Sequence, residues 1–387
     1  MLFSRRKLFQ VTGAGLLASQ AHNLLADTAA ALAPPPSVGE YPGISQVALV
    51  QGDDRRKNIT EALTAIDDQI KPKLAQKKYV LIKPNVVWPK NQLACTHADA
   101  LRGIFDYLAP RWNGPIVIAE ACGMDTFEGY ETLNYTRLPK EFKDQKISLV
   151  DMKREPKFVT VSILDGDLHM TPVRLVGRLF DPDAFIISSA NLKTHSCVVA
   201  TMTVKNMVMG SPLISPKGMA PVDDKRKFHA IASRTPDLHL TGVRQHHYNM
   251  FIAAQRLQPY WGLGVIDGFE GMEGEGPASG TPAGSHIAIA STDLIAADRI
   301  GAEAMGIDPS WIGYLVYSGQ VGVGNYDREK IQLRGVALDA VRKTYRLPPQ
   351  IEDELKWMQA PADLGKTVDE LPVGEIHSQL DKIYGRV

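Results

Sequence analysis

Asn191–Gly210 reads NLKTHSCVVATMTVKNMVMG, and the run before it, Ala184–Ala190, reads AFIISSA. Seven residues of nearly unbroken apolar character predict a buried strand. Beyond it Asn191, Lys193 and His195 alternate, so an extended backbone points all three to one side. Thr201 and Lys205 are four apart and share a face if Thr201–Met209 is helical, with Gly210 as the helix stop. Each polar group buried here without a partner costs about 1–3 kcal/mol. Two lysines, a histidine, two asparagines and three threonines in such apolar company therefore read as the wall of a site.

Outward from this stretch, short apolar runs alternate with helical spacing. Gln46–Gln51, Tyr79–Ile82, Pro115–Ala119, Ile147–Val150, Gly262–Ile266 and His286–Ala290 read as strands. Arg55–Ile70, Ala98–Leu108, Pro236–Leu257 and Asp293–Met305 read as helices. Ser291 and Thr292 are the cap candidates of the last, with Asp293 in its acidic first turn. Strands separated by helices predict an α/β fold, a largely parallel sheet with helices on both faces. Lys157–Ile163 and His169–Leu175 flank Asp165-Gly166-Asp167, a turn signal, and predict a β-hairpin inserted into the sheet or on its edge. Ser211–Thr235, rich in proline, glycine and charge, reads as a long surface loop of the kind that covers or binds. One main domain is expected over residues 45–330, with 331–387 a strand and helix extension packed on it.

The polar residues fall at the strand ends. Lys83, Glu120, Asp151, Asn191 and Asp267 each follow an apolar run, and open α/β sheets bind ligands outside the carboxyl ends of their strands. Lys83, Lys193 and Lys205 suit a carboxylate or phosphate, and a desolvated lysine also serves as a base. His195 suits proton transfer or an ordinary structural role. Asn85, Asn191, Thr194, Thr203 and Asn206 are candidates to orient a carbonyl or anion. Asp267 and Glu270 head the glycine-rich segment DGFEGMEGEGP, whose carboxylates repel phosphate and suit a divalent cation instead. His239 and His246 are seven apart but lack a third ligand for zinc, and adjacent His246 and His247 diverge on a helix. No nucleophile elbow or dinucleotide fingerprint is present.

Lysine plus arginine equals aspartate plus glutamate, 43 each, which leaves no global field to draw nucleic acid or anionic membrane. The three cysteines, Cys95, Cys122 and Cys197, fall short of the four thiolates of a cubane cluster, so an iron–sulfur cofactor is not expected. Cys95 and Cys122 are free to pair or not, and Cys197 reads as a small buried hydrophobe. At the N-terminus Ser4-Arg5-Arg6-Lys7-Leu8-Phe9 precedes the apolar run Val11–Ala18 and small residues near Ala26. Charge, apolar length and small residues in that order predict a twin-arginine-type signal over residues 1–30, then a flexible tether over 31–44. The run is shorter than the ~20 residues of a membrane span. Export through the twin-arginine machinery, a periplasmic location and no stable span after signal removal follow as expectations.

KPN at Lys83–Asn85, NLKTH at Asn191–His195, TVKNMVMG at Thr203–Gly210, DGFEGMEGEGP at Asp267–Pro277 and the helix DLIAADRIGAEAMGID at Asp293–Asp308 together resemble the bacterial and archaeal family called domain of unknown function 362. The resemblance implies a shared fold and motif set rather than a reaction. Many relatives carry a ferredoxin-like pair of iron–sulfur clusters, a module that three scattered cysteines cannot supply. The expectation is an exported α/β enzyme acting on a small anionic or carbonyl-containing ligand. The alternative is a non-catalytic periplasmic binding or accessory protein using the same crevice.

Overall fold

The computed structural model describes residues 40–165, 169–216, 222–228 and 236–358, with backbone alone over 236–242. In chain order the strands are β1 (Ser45–Gln51), β2 (Tyr79–Lys83), β3 (Pro115–Glu120), β4 (Lys146–Asp151), β5 (Phe158–Leu164) and β6 (Met170–Val176). They continue as β7 (Ala184–His195), β8 (Val199–Thr201), β9 (Trp261–Glu273), β10 (Thr281–Ala283), β11 (Ile287–Ser291) and β12 (Ile331–Gly335). The strand predicted at Ala184 runs on through His195, and all of its residues are buried. It lies at the centre of a ten-stranded sheet ordered β12-β1-β11-β9-β7-β2-β3-β4, with β10 on β9 and β8 on β7.

From β9 through β7, β2 and β3 to β4 every pairing is parallel. β11 runs antiparallel to both β1 and β9, so the sheet is mixed and mostly parallel. Successive residues face opposite sides of a strand, and each side is covered. Val80, Ile82, Ile116 and Ile118 pack with Ile59 and Leu63 of helix α1 (Arg55–Ala65) and Leu101 and Ile104 of α2 (Ala98–Leu108). Leu81, Val117 and Ile186 pack on the other side. Their partners are α3 (Thr203–Met209), α4 (Pro236–Leu257) and α5 (Leu294–Ala304), through Val204, Val208, Leu257 and Ile300.

Several local expectations change. The helix predicted over Arg55–Ile70 breaks at Ile66 and restarts at Asp67. Asp293, placed in the first turn, is itself the cap of α5. Its carboxylate accepts from the backbone N–H of Ile295 and Ala296, because Leu294 is already helical. Thr201 ends β8 and lies outside α3, so its proximity to Lys205 comes from the β7–β8 hairpin rather than one helix turn. The hairpin β5–β6 forms in register but as its own two-stranded sheet, not within the main one. Asn249 of α4 holds its Leu164 end, accepting from the N–H and donating to the carbonyl. Within the loop expected over Ser211–Thr235, residues 217–221 and 229–235 lie outside the described residues. β12 joins the sheet edge parallel to β1. Among the described residues no helix is long and apolar enough to cross a membrane.

Candidate functional site

At the carboxyl end of β2, Pro84 follows Lys83 and keeps the backbone there extended. The Lys83 ammonium is 1% exposed. It donates to Glu120 Oε2 at 2.8 Å, to Asn206 Oδ1 at 2.9 Å and to the Pro84 carbonyl at 3.2 Å. β2 and β3 are neighbours, so the pair joins two adjacent strand ends. A buried ion pair persists only where its remaining hydrogen-bonding groups are also satisfied. Here the other Glu120 oxygen accepts from the N–H of Ala121 at 2.7 Å. Asn206 Nδ2 donates to the Lys83 carbonyl and to Ser188 Oγ.

Gly210 explains how a lysine fits. A Cβ there would lie 2.1 Å from Lys83 Cε and 2.2 Å from Nζ. Its φ is −93°, an ordinary right-handed value. The glycine ends α3, as predicted, but its lack of a side chain serves the lysine rather than a left-handed turn.

Lys193 extends the network from β7. Its ammonium donates to Asn85 Oδ1 at 2.6 Å and to the Ala94 carbonyl at 2.8 Å, while Asn85 Nδ2 donates to Asn206 Oδ1 at 3.3 Å. Lysines only donate, so both amide oxygens must face them. Burial pushes the Lys193 pKa down to about 8, against the smaller upward pull of Cys95 and Glu120.

Beside this network lies a cavity of about 160 Å³, lined by Lys83, Asn85, Glu120, His195, Thr201, Lys205, Asn206 and Lys225 together with Val86, Met209 and Pro277. Lys205 is 7% exposed. Among the described residues no acceptor or carboxylate binds its nitrogen, unlike those of Lys83 and Lys193. Burial, then the like charges of Lys225 and Lys193, bring its pKa down to about 7. Thr201 Oγ1 is buried and has no hydrogen-bond partner among the described residues. The His195 ring accepts from the Cys197 N–H through Nδ1 at 3.0 Å, so in the neutral ring Nε2 carries the proton. Lys225, half-buried, enters from the 222–228 segment with its pKa lowered by burial. Glu120 is the cavity's carboxylate among its lysines.

Other candidates lie elsewhere. Asn191 Nδ2 donates to the Cys95 and Leu93 carbonyls, and Thr194 Oγ1 donates to the Gly274 carbonyl at 2.9 Å. Thr203 tethers α3 to α5, its N–H and hydroxyl both donating to Asp298 Oδ1. Burial brings the Asp298 pKa up to about 7. Asp267 is buried against Arg55, 3.1 Å from the guanidinium, and half-exposed Glu270 approaches the same group at 3.7 Å. Asp151 accepts from Thr126 Oγ1 and caps the turn at Lys153. Thus two of the five polar strand ends, Lys83 and Glu120, meet at the cavity.

His246 Nδ1 bonds the Phe228 carbonyl and His247 Nδ1 accepts from the Tyr314 N–H, so the two diverge. The His239 side chain lies outside the described residues. Cys95 and Cys122 are buried and unpaired, and Cys197 is exposed at the β7–β8 turn rather than buried. Sequence reading passed over Lys225, which follows no apolar run, whereas Thr201 was read into the site wall beside Lys205. Glu120 was visible as a strand end, but its partner was not.

The family model described as Domain of unknown function (DUF362) matches residues 80–303, more than half of the chain. A comparison with curated proteins gave no significant match. Among solved structures, the chain is similar to a crystal structure of a structural-genomics target from Thermotoga maritima, at 12% identity and a TM-score of 0.41. The alignment covers 70% of this chain and 61% of that one, so this chain spans about three-fifths of its length.

Proposed function

Because the chain belongs to the domain of unknown function 362 family, a grouping that carries no reaction with it, we propose from the geometry that the protein is an enzyme moving a proton on a small anionic, carbonyl-containing substrate. The observation that supports this most directly is Lys205. Its amine lines a small cavity without a partner among the described residues, and its pKa is about 7. Near neutrality it is divided between amine and ammonium, the condition under which a general base works best.

The cavity suits a group the size of a carboxylate or phosphate. Lys225 and Lys83 supply positive charge, and Glu120 offsets one of them. The neutral Lys205 amine takes a proton from the carbon beside the substrate carbonyl, and the electron pair moves onto the carbonyl oxygen. That oxygen's charge meets the Lys225 ammonium and the N–H of His195 Nε2. Lys193, behind Asn85, orients the amides and has no place on the cavity wall. The same proposal places the enzyme in the periplasm, delivered by the twin-arginine machinery through the signal-like residues 1–30. Those residues lie outside the described ones.

The test has two readouts. Phosphate, malonate and pyruvate are titrated against the thermal midpoint of wild type and Lys205→Met, and solvent deuterium entry beside the pyruvate carbonyl is followed by NMR. Stabilisation of about 2.7 kcal/mol is expected at a hundredfold excess over Kd, and is lost in the variant together with deuterium exchange. Anion binding without exchange on any ketoacid favours the non-catalytic binding protein. No anion response in the wild type removes the proposal.

A further inference from the structure

We propose that Glu354, from the C-terminal segment, is a positioning residue of the cavity: it pins the β7–β8 hairpin, which carries His195 and Thr201. This rests on the anion-site reading above. Val199, the first residue of β8, has φ 67°, a left-handed backbone that a β-branched residue rarely adopts and that persists only when its surroundings hold it. The Val199 N–H donates to Glu354 Oε2 at 3.0 Å. Val199 pairs with His195 and Thr201 with Lys193 across the hairpin, so relaxing Val199 displaces both cavity residues.

Glu354 is itself held in place. It sits in the short helix Ile351–Leu355. Just beyond, Trp357 Nε1 donates to the Trp311 carbonyl at 2.8 Å, and Arg244 donates to the Trp357 carbonyl at 2.9 Å. The Trp357 ring packs against His247 and Tyr317. Among the described residues no cation pairs with the Glu354 carboxyl, and Oε1 has no hydrogen-bond partner. A carboxyl group 2% exposed without a counter-charge is costly to keep. Its one described hydrogen bond is to the strained residue, which assigns its role.

Cys197 lies in the same turn and is exposed, whereas Cys95 and Cys122 are buried, so thiol labelling reports on the turn directly. In the full chain, Glu354→Ala is expected to speed Cys197 labelling several-fold and to weaken inorganic phosphate binding about tenfold. Glu354→Gln, which keeps an acceptor oxygen, restores both to within about twofold of wild type. A merely structural role would shift the unfolding midpoint and leave phosphate affinity and the Gln rescue unmoved. If Glu354→Ala does not fold, adding Val199→Gly removes the strain and is expected to recover folding. Failure of that recovery, or wild-type labelling and affinity in Glu354→Ala, overturns the assignment. Faster Cys197 labelling in a protein that never binds phosphate supports the pin and overturns the anion site.

Discussion

Gly210→Ala isolates the close approach on which the buried lysine depends. At φ −93° and ψ −2° alanine is conformationally acceptable. Loss of unfolded-state freedom alone would then stabilise the protein by about 0.4–1 kcal/mol. Packing has the opposite sign. The new methyl would sit 2.1 Å from Lys83 Cε, 2.2 Å from Nζ and 2.7 Å from the Asn206 carbonyl. The ammonium cannot swing aside without leaving Glu120 and Asn206, and Glu120 would then be a carboxylate 3% exposed without its partner. Stranding one member of a buried pair costs about 3–5 kcal/mol. The net expectation is a loss of roughly 2–4 kcal/mol, read from denaturant midpoints. In a Lys83→Ala background the lysine contacts are gone and only the approach to the Asn206 carbonyl remains, so the same glycine substitution is expected to cost less by about 2 kcal/mol or more. A Gly210→Ala protein as stable as wild type, or equal costs in the two backgrounds, refutes the packing argument.

Three further outcomes are expected. The folded pKa of Lys205, about 7, lies below its unfolded value of about 10.4. Between them the unfolded chain binds a proton the folded chain lacks, so stability rises with pH across that window by about 1.4 kcal/mol per unit. Subtracting the Lys205→Met profile should expose that slope, and a flat difference refutes it. Sulfate binding should run the other way, strengthening as pH falls through 7. Arg55→Met strands Asp267 and is expected to cost about 3 kcal/mol by denaturation. Stoichiometric metal in wild-type protein purified without chelator, lost in Asp267→Ala, would instead assign Asp267 and Glu270 to a cation. Fusing residues 1–39 to a reporter should direct it to the periplasm, and replacing Arg5 and Arg6 by lysine should abolish that; an unaffected reporter refutes the twin-arginine route.

The chain itself determined the elements and their class, because periods of 2 and 3.6 are written in neighbouring residues. Ala98–Leu108 emerges where the periodicity puts it, the strand expected over Pro115–Ala119 runs one residue further through Glu120, and the apolar run at Ala184 predicted the strand that became the sheet's centre. Lys83, Lys205, Asn85, Asn206 and His195 were legible as candidates, since polar side chains in apolar stretches need partners. Which partners they take was not legible. That depends on sheet order, a matter of long-range pairing. Lys83 meets Glu120 because β2 and β3 are neighbours, while Asp267, equally a strand end, lies against Arg55. Lys225 reaches the cavity from a segment without motifs, and Glu354 bonds Val199 from 155 positions away in the chain. Local sequence sets what each residue prefers. Only the packed sheet decides which buried charges are neutralised, and so which amine, among the described residues, remains unpaired beside the cavity.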